Sequence, residues 1–250
     1  MQLLGILKYY FIKIRRIFSS KINDGYNNLI INKSIIKKTV LFNTLDRFNK
    51  NDKNYKRTIK FLNFVRKKNF KKIVDFGGGA GYHYFIAKKK IPNFNFKWII
   101  IENPKMVQLC NKEFKYKNLF FYSSLKKINK LDIFFSSCSI NYTKNPIKTL
   151  KIISKLDAKY FYFTRTPLSE NASLTYTQLS CLADNGPLRI KEEEKIFIEC
   201  QNKIINIKNF EEIFKDNFNI ILKYVDEKNA FFFKDNSFDT YTYIIKRKKI

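Results

Sequence analysis

Asp75, Gly77, Gly79 and Gly81 alternate along one short stretch, with Gly78 between the first two glycines, directly after the apolar pair Ile73–Val74. The chain has only 7 glycines, and four of them fall here. Glycine admits positive φ and leaves bare backbone against which a ligand can lie. A strand, an acid, a glycine loop and then a helix is the order that holds a nucleotide-like cofactor at the carboxyl end of a parallel strand. A second acid, Glu102, ends the apolar run Trp98–Ile101 at the distance along the chain where an acid meets a ribose in such folds. A carboxylate accepts two hydroxyl hydrogen bonds side by side. Asn103 follows it, with Pro104 suited to a first helical turn. Cofactor binding is therefore expected at Asp75, Gly77, Gly78, Gly79, Gly81, Glu102 and Asn103.

The same residues choose between cofactors. A dinucleotide fingerprint starting at Gly77 needs its third glycine at position 82, which is Tyr82. An acid two residues before the loop repels phosphate and suits an ammonium- or sulfonium-bearing ligand. Both points favour S-adenosylmethionine over NAD.

Other candidates have a bland alternative beside the functional one. His83 is the only histidine and stands at the start of the helix after the loop. Its ordinary pKa suits proton transfer, and a helix N-terminus disfavours its cation, so it is the catalytic candidate; it equally suits positioning the loop. Ser123 could touch an adenine edge or cap a helix. Ser137 lies where the cofactor's reactive end should sit and Tyr142 where substrate should face it, unless Ser136–Tyr142 is a plain loop. Arg165 could hold an anionic substrate group or a surface ion pair. Cys110, Cys138, Cys181 and Cys200 have no metal-ligand spacing, so no metal is expected and the thiols are read as free and cytosolic.

These residues need elements to position them. Strands are expected at 72–76, 96–102, 119–122, 131–136 and 160–164. Helices are expected at 82–90, 104–114, near 125, and at 146–156. That alternation predicts an α/β fold with a parallel sheet covered by helices on both faces. Helices are also expected at 34–48, 54–70 and 209–218. The stretch 165–206 reads as a long, polar, irregular insertion over the site edge. Strands at 219–225 and 239–246 could close the chain as an antiparallel hairpin. Met1–Phe18 carries apolar residues at helical spacing among basic ones, as in a basic amphipathic helix on an anionic membrane or a helix packed on the domain itself.

At 250 residues with 45% hydrophobic and 17% aromatic content, the chain is long and apolar enough for one folded domain. The formal charge of +28 invites a nucleic-acid reading. Lysine supplies 41 of the basic residues and arginine 8, spread along the whole chain. Phosphate-reading surfaces favour the arginine fork, so a compositional bias explains the charge better. A basic nucleic-acid or membrane-binding protein with a degenerate cofactor pocket is the alternative function.

The stretch Ile73–Gly81 with His83-Tyr84, then Trp98–Glu102 with Pro104 and Val107, resembles class I S-adenosylmethionine-dependent methyltransferases. More narrowly it is similar to a bacterial methyltransferase family with an Asp-Phe-Gly-Gly-Gly-x-Gly-x-His-Tyr signature. Gly25-Tyr26, Ser137–Tyr142, Arg165-Thr166-Pro167 and Gln178 match as well, and Ala80 replaces a usually bulkier residue. The resemblance spans about 25–246. It implies a Rossmann-like seven-strand, mostly parallel sheet with an antiparallel final strand. It implies cofactor contacts at Asp75, Gly77, Gly79, Gly81 and Glu102. It fixes no substrate; a sugar or glycan precursor is suggested by the company such proteins keep. The expected organisation is an N-terminal helical cap over 1–70 and a methyltransferase domain over 71–250, with an inserted lid at about 165–206. Expected partners are a small-molecule or glycan acceptor and an anionic membrane touching residues 1–18, with nucleic acid disfavoured.

Overall fold

The computed structural model describes residues 20–22, 25–45, 49, 52–91, 93–233 and 236–248. In chain order the elements are β1 (Ser20–Ile22), α1 (Leu29–Thr44), α2 (Lys53–Lys67), β2 (Lys72–Phe76), α3 (Tyr82–Lys90), β3 (Lys97–Ile101), α4 (Pro104–Glu113) and β4 (Leu119–Tyr122). They continue with β5 (Leu131–Ser137), α5 (Pro146–Ser154), β6 (Ala158–Ser169), β7 (Leu174–Cys181), β8 (Ile196–Asn206), α6 (Ile207–Glu212), β9 (Phe218–Phe233) and β10 (Asn236–Arg247). The abundance of asparagine has a local use. Asn28, Asn103, Asn145 and Asn206 cap α1, α4, α5 and α6, each accepting a first-turn N–H on its side-chain oxygen, and Asp52 does the same for α2. Pro104 and Pro146 occupy first-turn positions whose N–H would have no helical partner.

Seven strands form the main sheet in the order β4-β3-β2-β5-β6-β10-β9. β2 to β6 are parallel, and β10 enters antiparallel between β6 and β9. Successive side chains of a strand point to opposite faces, so the apolar runs divide cleanly. Ile73, Trp98, Ile100, Ile133 and Phe135 pack with α2, α3 and α4 on one face. Val74, Ile99, Ile101, Phe134, Phe161 and Phe163 pack with α5 and α6 on the other. Much of the phenylalanine content goes into these layers, as in the stacked Phe61–Phe135 pair at 4.0 Å. Helices α1 and α2 contribute Ile36, Phe42, Phe61 and Val65 to the first layer.

Two expectations need correction. The stretch after Arg165 is not irregular: β6 runs on to Ser169, and β7 and β8 pair antiparallel over Leu174–Cys181. Threonine, tyrosine and isoleucine favour strands even where polar residues break the apolar alternation. The chain before residue 70 is not wholly helical either. β1 pairs parallel with β8, and a single helical turn at Gly25–Asn27 follows it. β1, β8 and β7 thus make a small annex sheet, joined to the main one where Leu168 and Ser169 meet Ile205 and Asn206. The expected amphipathic helix at 1–18 lies outside the described residues. No described helix is long and apolar enough to cross a membrane.

Candidate functional site

The carboxyl ends of β2, β3, β5 and β6 open into a cavity of about 970 Å³, floored by the glycine loop and walled by α1, α3 and the annex sheet. Its volume lies at the upper end of the range for small-molecule sites. The loop begins with the Gly77 N–H donating to Ile101 O at 2.8 Å, which carries the strand ladder one step past β2. Two of the glycines are fixed by space. A Cβ on Gly77 would lie 2.3 Å from the Ser139 side chain, and its φ is +70°. A Cβ on Gly78 would lie 2.6 Å from the Asp75 carboxyl.

Asp75 therefore lies under the loop. It is 1% exposed and does not line the cavity, and neither does Gly81, which starts α3. The Trp98 indole N–H donates to Asp75 Oδ2 at 3.2 Å, and Oδ1 has no partner among the described residues. Burial pushes the Asp75 pKa up to about 8; the Trp98 hydrogen bond opposes that and the charge of Glu102 adds to it. The acid is thus held neutral at neutral pH and supports the loop from below.

This has a measurable sign. The folded chain keeps the Asp75 proton to about pH 8, whereas an unfolded aspartate releases it near pH 4. Between those values the folded state binds the extra proton, so this group's contribution declines as pH rises. Asp75→Asn should remove that decline. Urea unfolding at several pH values from acid to mildly alkaline should show the variant gaining on the parent as pH rises; parallel curves would contradict it.

Glu102 reaches the loop from the end of β3. Its Oε1 accepts from the Gly79 N–H at 3.1 Å, and its Oε2 accepts from the Asn103 N–H at 2.9 Å and from Asn103 Nδ2 at 3.2 Å. Burial raises its pKa, and these three donors oppose the rise. Asn103 ties the site to the N-terminal segment: its Nδ2 also donates to Tyr26 O at 3.3 Å, and its Oδ1 accepts from Asn32 Nδ2 at 3.3 Å.

His83 lines the same cavity. Its Nδ1 lies 2.9 Å from Thr58 Oγ1, and Thr58 gives its single hydroxyl hydrogen to Asn54 O at 2.8 Å. The Thr58 oxygen must then accept from an Nδ1–H, which leaves the Nε2 lone pair available. Burial pushes the His83 pKa down to about 4, so the ring is neutral at neutral pH.

Ser123, Ser137, Tyr142 and Arg165 also line the cavity, so it gathers ten of the twelve residues singled out from the sequence. Ser123 is exposed at its rim. The Tyr142 hydroxyl donates to Gln178 Oε1 at 3.0 Å, and Asn202 Nδ2 donates to the same oxygen at 2.6 Å. Gly25, Tyr26 and Gln178, noted only for their resemblance, meet at this cavity too.

Contributions from α1 and from the turn at 184–187 were not foreseen. Thr39 and Ile35 line the cavity from α1, and Asn185 and Pro187 from the turn, where Asn185 Oδ1 accepts from the Tyr26 hydroxyl at 3.0 Å. The turn's partner has no local signal in the sequence. That partner is Lys38, a lysine with no exposed surface. No group of acids, histidines and cysteines among the described residues could hold a metal ion.

Among solved structures, the chain is similar to an S-adenosylmethionine-dependent methyltransferase from Clostridium acetobutylicum, with 16% identity and a TM-score of 0.51 over 85% of this chain and 98% of that one. The fold is that of class I methyltransferases. Weaker matches are the methyltransferase domain of bacterial CtHen1, with 13% identity and a TM-score of 0.49 over 79% and 100% of the chains, and the N-terminal domain of EvdMO1 with SAH bound, with 9% and 0.48 over 80% and 82%. No protein-family model and no curated protein sequence matches the chain. The antiparallel β10 between β6 and β9 also separates this sheet from the dinucleotide-binding order, in which the sixth strand continues the series.

Proposed function

We propose that this chain is an S-adenosylmethionine-dependent methyltransferase whose acceptor is a small molecule, with a sugar or glycan precursor as the favoured class. The observation that carries the reading is Glu102, held at the end of β3 with its carboxylate on the Gly79 N–H of a loop that has no room for a Cβ at Gly77 or Gly78. Such a carboxylate can take the two ribose hydroxyls while the bare backbone of Gly77–Gly79 admits the amino-acid end of the cofactor. Asn103 fixes Glu102, Ser123 stands at the adenine side, and Ser137 faces the reactive end. Asp75 and Gly81 serve the cofactor indirectly, by shaping the loop. The narrower family signature from Asp75 to Tyr84 is part of this reading and rests on those residues. The basic-module alternative gives no role to so closely matched a loop and acid.

When bound, the cofactor supplies a methyl group on a positively charged sulfur. The protein's work is then alignment and exclusion of water. His83 Nε2 takes the acceptor's proton as the new bond forms. A pKa of about 4 makes it a weak base, which suffices because a freshly methylated hydroxyl is far more acidic than any imidazolium. Tyr142 and Arg165 belong to the substrate end, and the insertion at 165–206 serves as its lid. Contact of residues 1–18 with an anionic membrane, in a cytoplasmic setting, is part of the same reading.

Isothermal titration checks it. S-adenosylmethionine should bind the purified protein stoichiometrically and NAD should not. His83→Gln should leave that affinity unchanged and slow turnover once an acceptor is found. Binding of NAD with no binding of S-adenosylmethionine would sink the proposal.

A further inference from the structure

Arg165 stands at a fault in the sheet. Along β6 and β10, Phe163 faces Tyr243 and Thr166 faces Tyr241, so Thr164 and Arg165 together face the single residue Thr242. This is a β-bulge, marked by the Thr164–Thr242 hydroxyl contact at 2.9 Å. Arg165 takes φ +52° within it, a left-handed conformation uncommon for a residue with a side chain. Strict alternation would send Arg165 to the face of Phe161 and Phe163, into the apolar layer under α5 and α6. The bulge turns it to the cavity instead. Cys138, also left-handed at φ +54°, locks the turn by donating its N–H to Thr164 O at 3.1 Å.

The guanidinium so placed has no ion pair or hydrogen bond among the described residues, and the residue is half-buried on the cavity wall. Among the described residues it is the only lysine or arginine lining the cavity. Neighbouring polar groups are already committed. The hydroxyl hydrogens of Tyr26 and Tyr142 go to Asn185 and Gln178. Glu227, the acid whose charge reaches Arg165, pairs with Arg57 at 2.9 Å and Lys53 at 2.5 Å. A half-buried cation without a partner gives up part of its hydration, and a strained backbone adds to that cost. Both costs are offset when an oxyanion meets the planar donor fork.

We infer that Arg165 is the seat of an oxyanion, a carboxylate or phosphoryl group carried by the methyl acceptor, so that the acceptor is an acidic molecule methylated at a separate hydroxyl or amine. The inference rests on the methyltransferase reading for the word acceptor, and on the bulge and the unpaired cation for the anion.

The test follows the Nε–H resonance of Arg165 in protein carrying isotope-labelled arginine, 8 residues in all. Its loss in Arg165→Met and in Arg165→Lys assigns the signal. Inorganic phosphate, acetate and, at matched ionic strength, chloride are titrated in, with and without S-adenosylhomocysteine. Phosphate or acetate should shift the signal saturably, with Kd on the order of millimolar, while chloride should not. Thermal shift should show the same anion weakened at least about tenfold in Arg165→Met and largely kept in Arg165→Lys. A response to phosphate alone points to a phosphoryl group and a response to acetate to a carboxylate. No saturable response, or an anion displaced from Arg165 by S-adenosylhomocysteine, overturns the inference; the second result makes Arg165 the seat of the cofactor's own carboxylate. Failure of S-adenosylhomocysteine to bind overturns the methyltransferase reading, while the anion response is still read in its absence.

Discussion

Glu102→Ala is expected to weaken S-adenosylhomocysteine binding roughly a hundredfold, about 3 kcal/mol. Three things go at once. The two ribose hydroxyls lose a charged acceptor, the Gly79 N–H loses the oxygen 3.1 Å away, and Asn103 loses the carboxylate that receives both its N–H and its side-chain amide. Hydrogen bonds to a charged group are each worth more than neutral ones, so the loss exceeds that of an ordinary polar contact. The fold should survive, because Glu102 is half-buried and removing it leaves no acid stranded in the core. Glu102→Gln separates the contributions: it keeps an oxygen for one partner but sets an amide against the Asn103 donors, so its affinity should fall between the two. Calorimetry on the parent and both variants, with unfolding curves as the control, checks the ranking. Equal affinity in Glu102→Ala and the parent would remove Glu102 from the site.

The sequence made β2, the glycine loop, α3 and β3 readable because each carries one signal with one cause. Apolar runs bounded by acids gave the strands, and the clustered glycines, two of them at positions with no room for a Cβ, gave the loop. Asp75 shows where such reading stops. Its place before the loop was legible, but the side to which its carboxyl points depends on Trp98, 23 residues later. An acid read as an electrostatic partner for the ligand is a neutral support beneath the loop. The insertion failed for another reason. β7 and β8 alternate imperfectly because Gln178 and Asn202, diagonal neighbours across the two strands, join a hydrogen-bonded chain with Tyr142 and Asn141, so polar residues occupy interior positions. Arg165 was legible as a candidate, but the bulge that aims it is a register between strands separated by about seventy residues, which no local pattern contains.

Lys38→Met is expected to loosen the turn at 182–187 and the annex sheet by about 3 kcal/mol while leaving the β2–β3 centre intact. The lysine lies in α1 with its Nζ donating to Leu182 O at 2.7 Å, Asn185 O at 2.7 Å and Ala183 O at 3.3 Å, and 2.6 Å from Glu193 Oε2. Nothing in the sequence distinguishes it from the many other lysines, yet it is the post on which the cavity's outer wall hangs. Methionine fills the same volume but removes the donor from three carbonyls, of which Leu182 O keeps the Asn185 N–H at 3.1 Å, and among the described residues leaves the Glu193 carboxylate with the Ser34 hydroxyl at 2.7 Å. An acid that loses its buried cation is costly because its charge remains. Hydrogen exchange should therefore show protection across β7 and β8 falling about a hundredfold, with β2, β3 and β5 unchanged. Lys38→Arg, which keeps the charge but must fit a wider head among the three carbonyls and Glu193, should lie between. Because Asn185 and Pro187 line the cavity from the turn and Glu102 hydrogen-bonds to neither, S-adenosylhomocysteine affinity should change far less than annex protection. Equal loss of protection in β2 and β7 would mean that Lys38 stabilises the whole domain and that the outer wall has no independent motion.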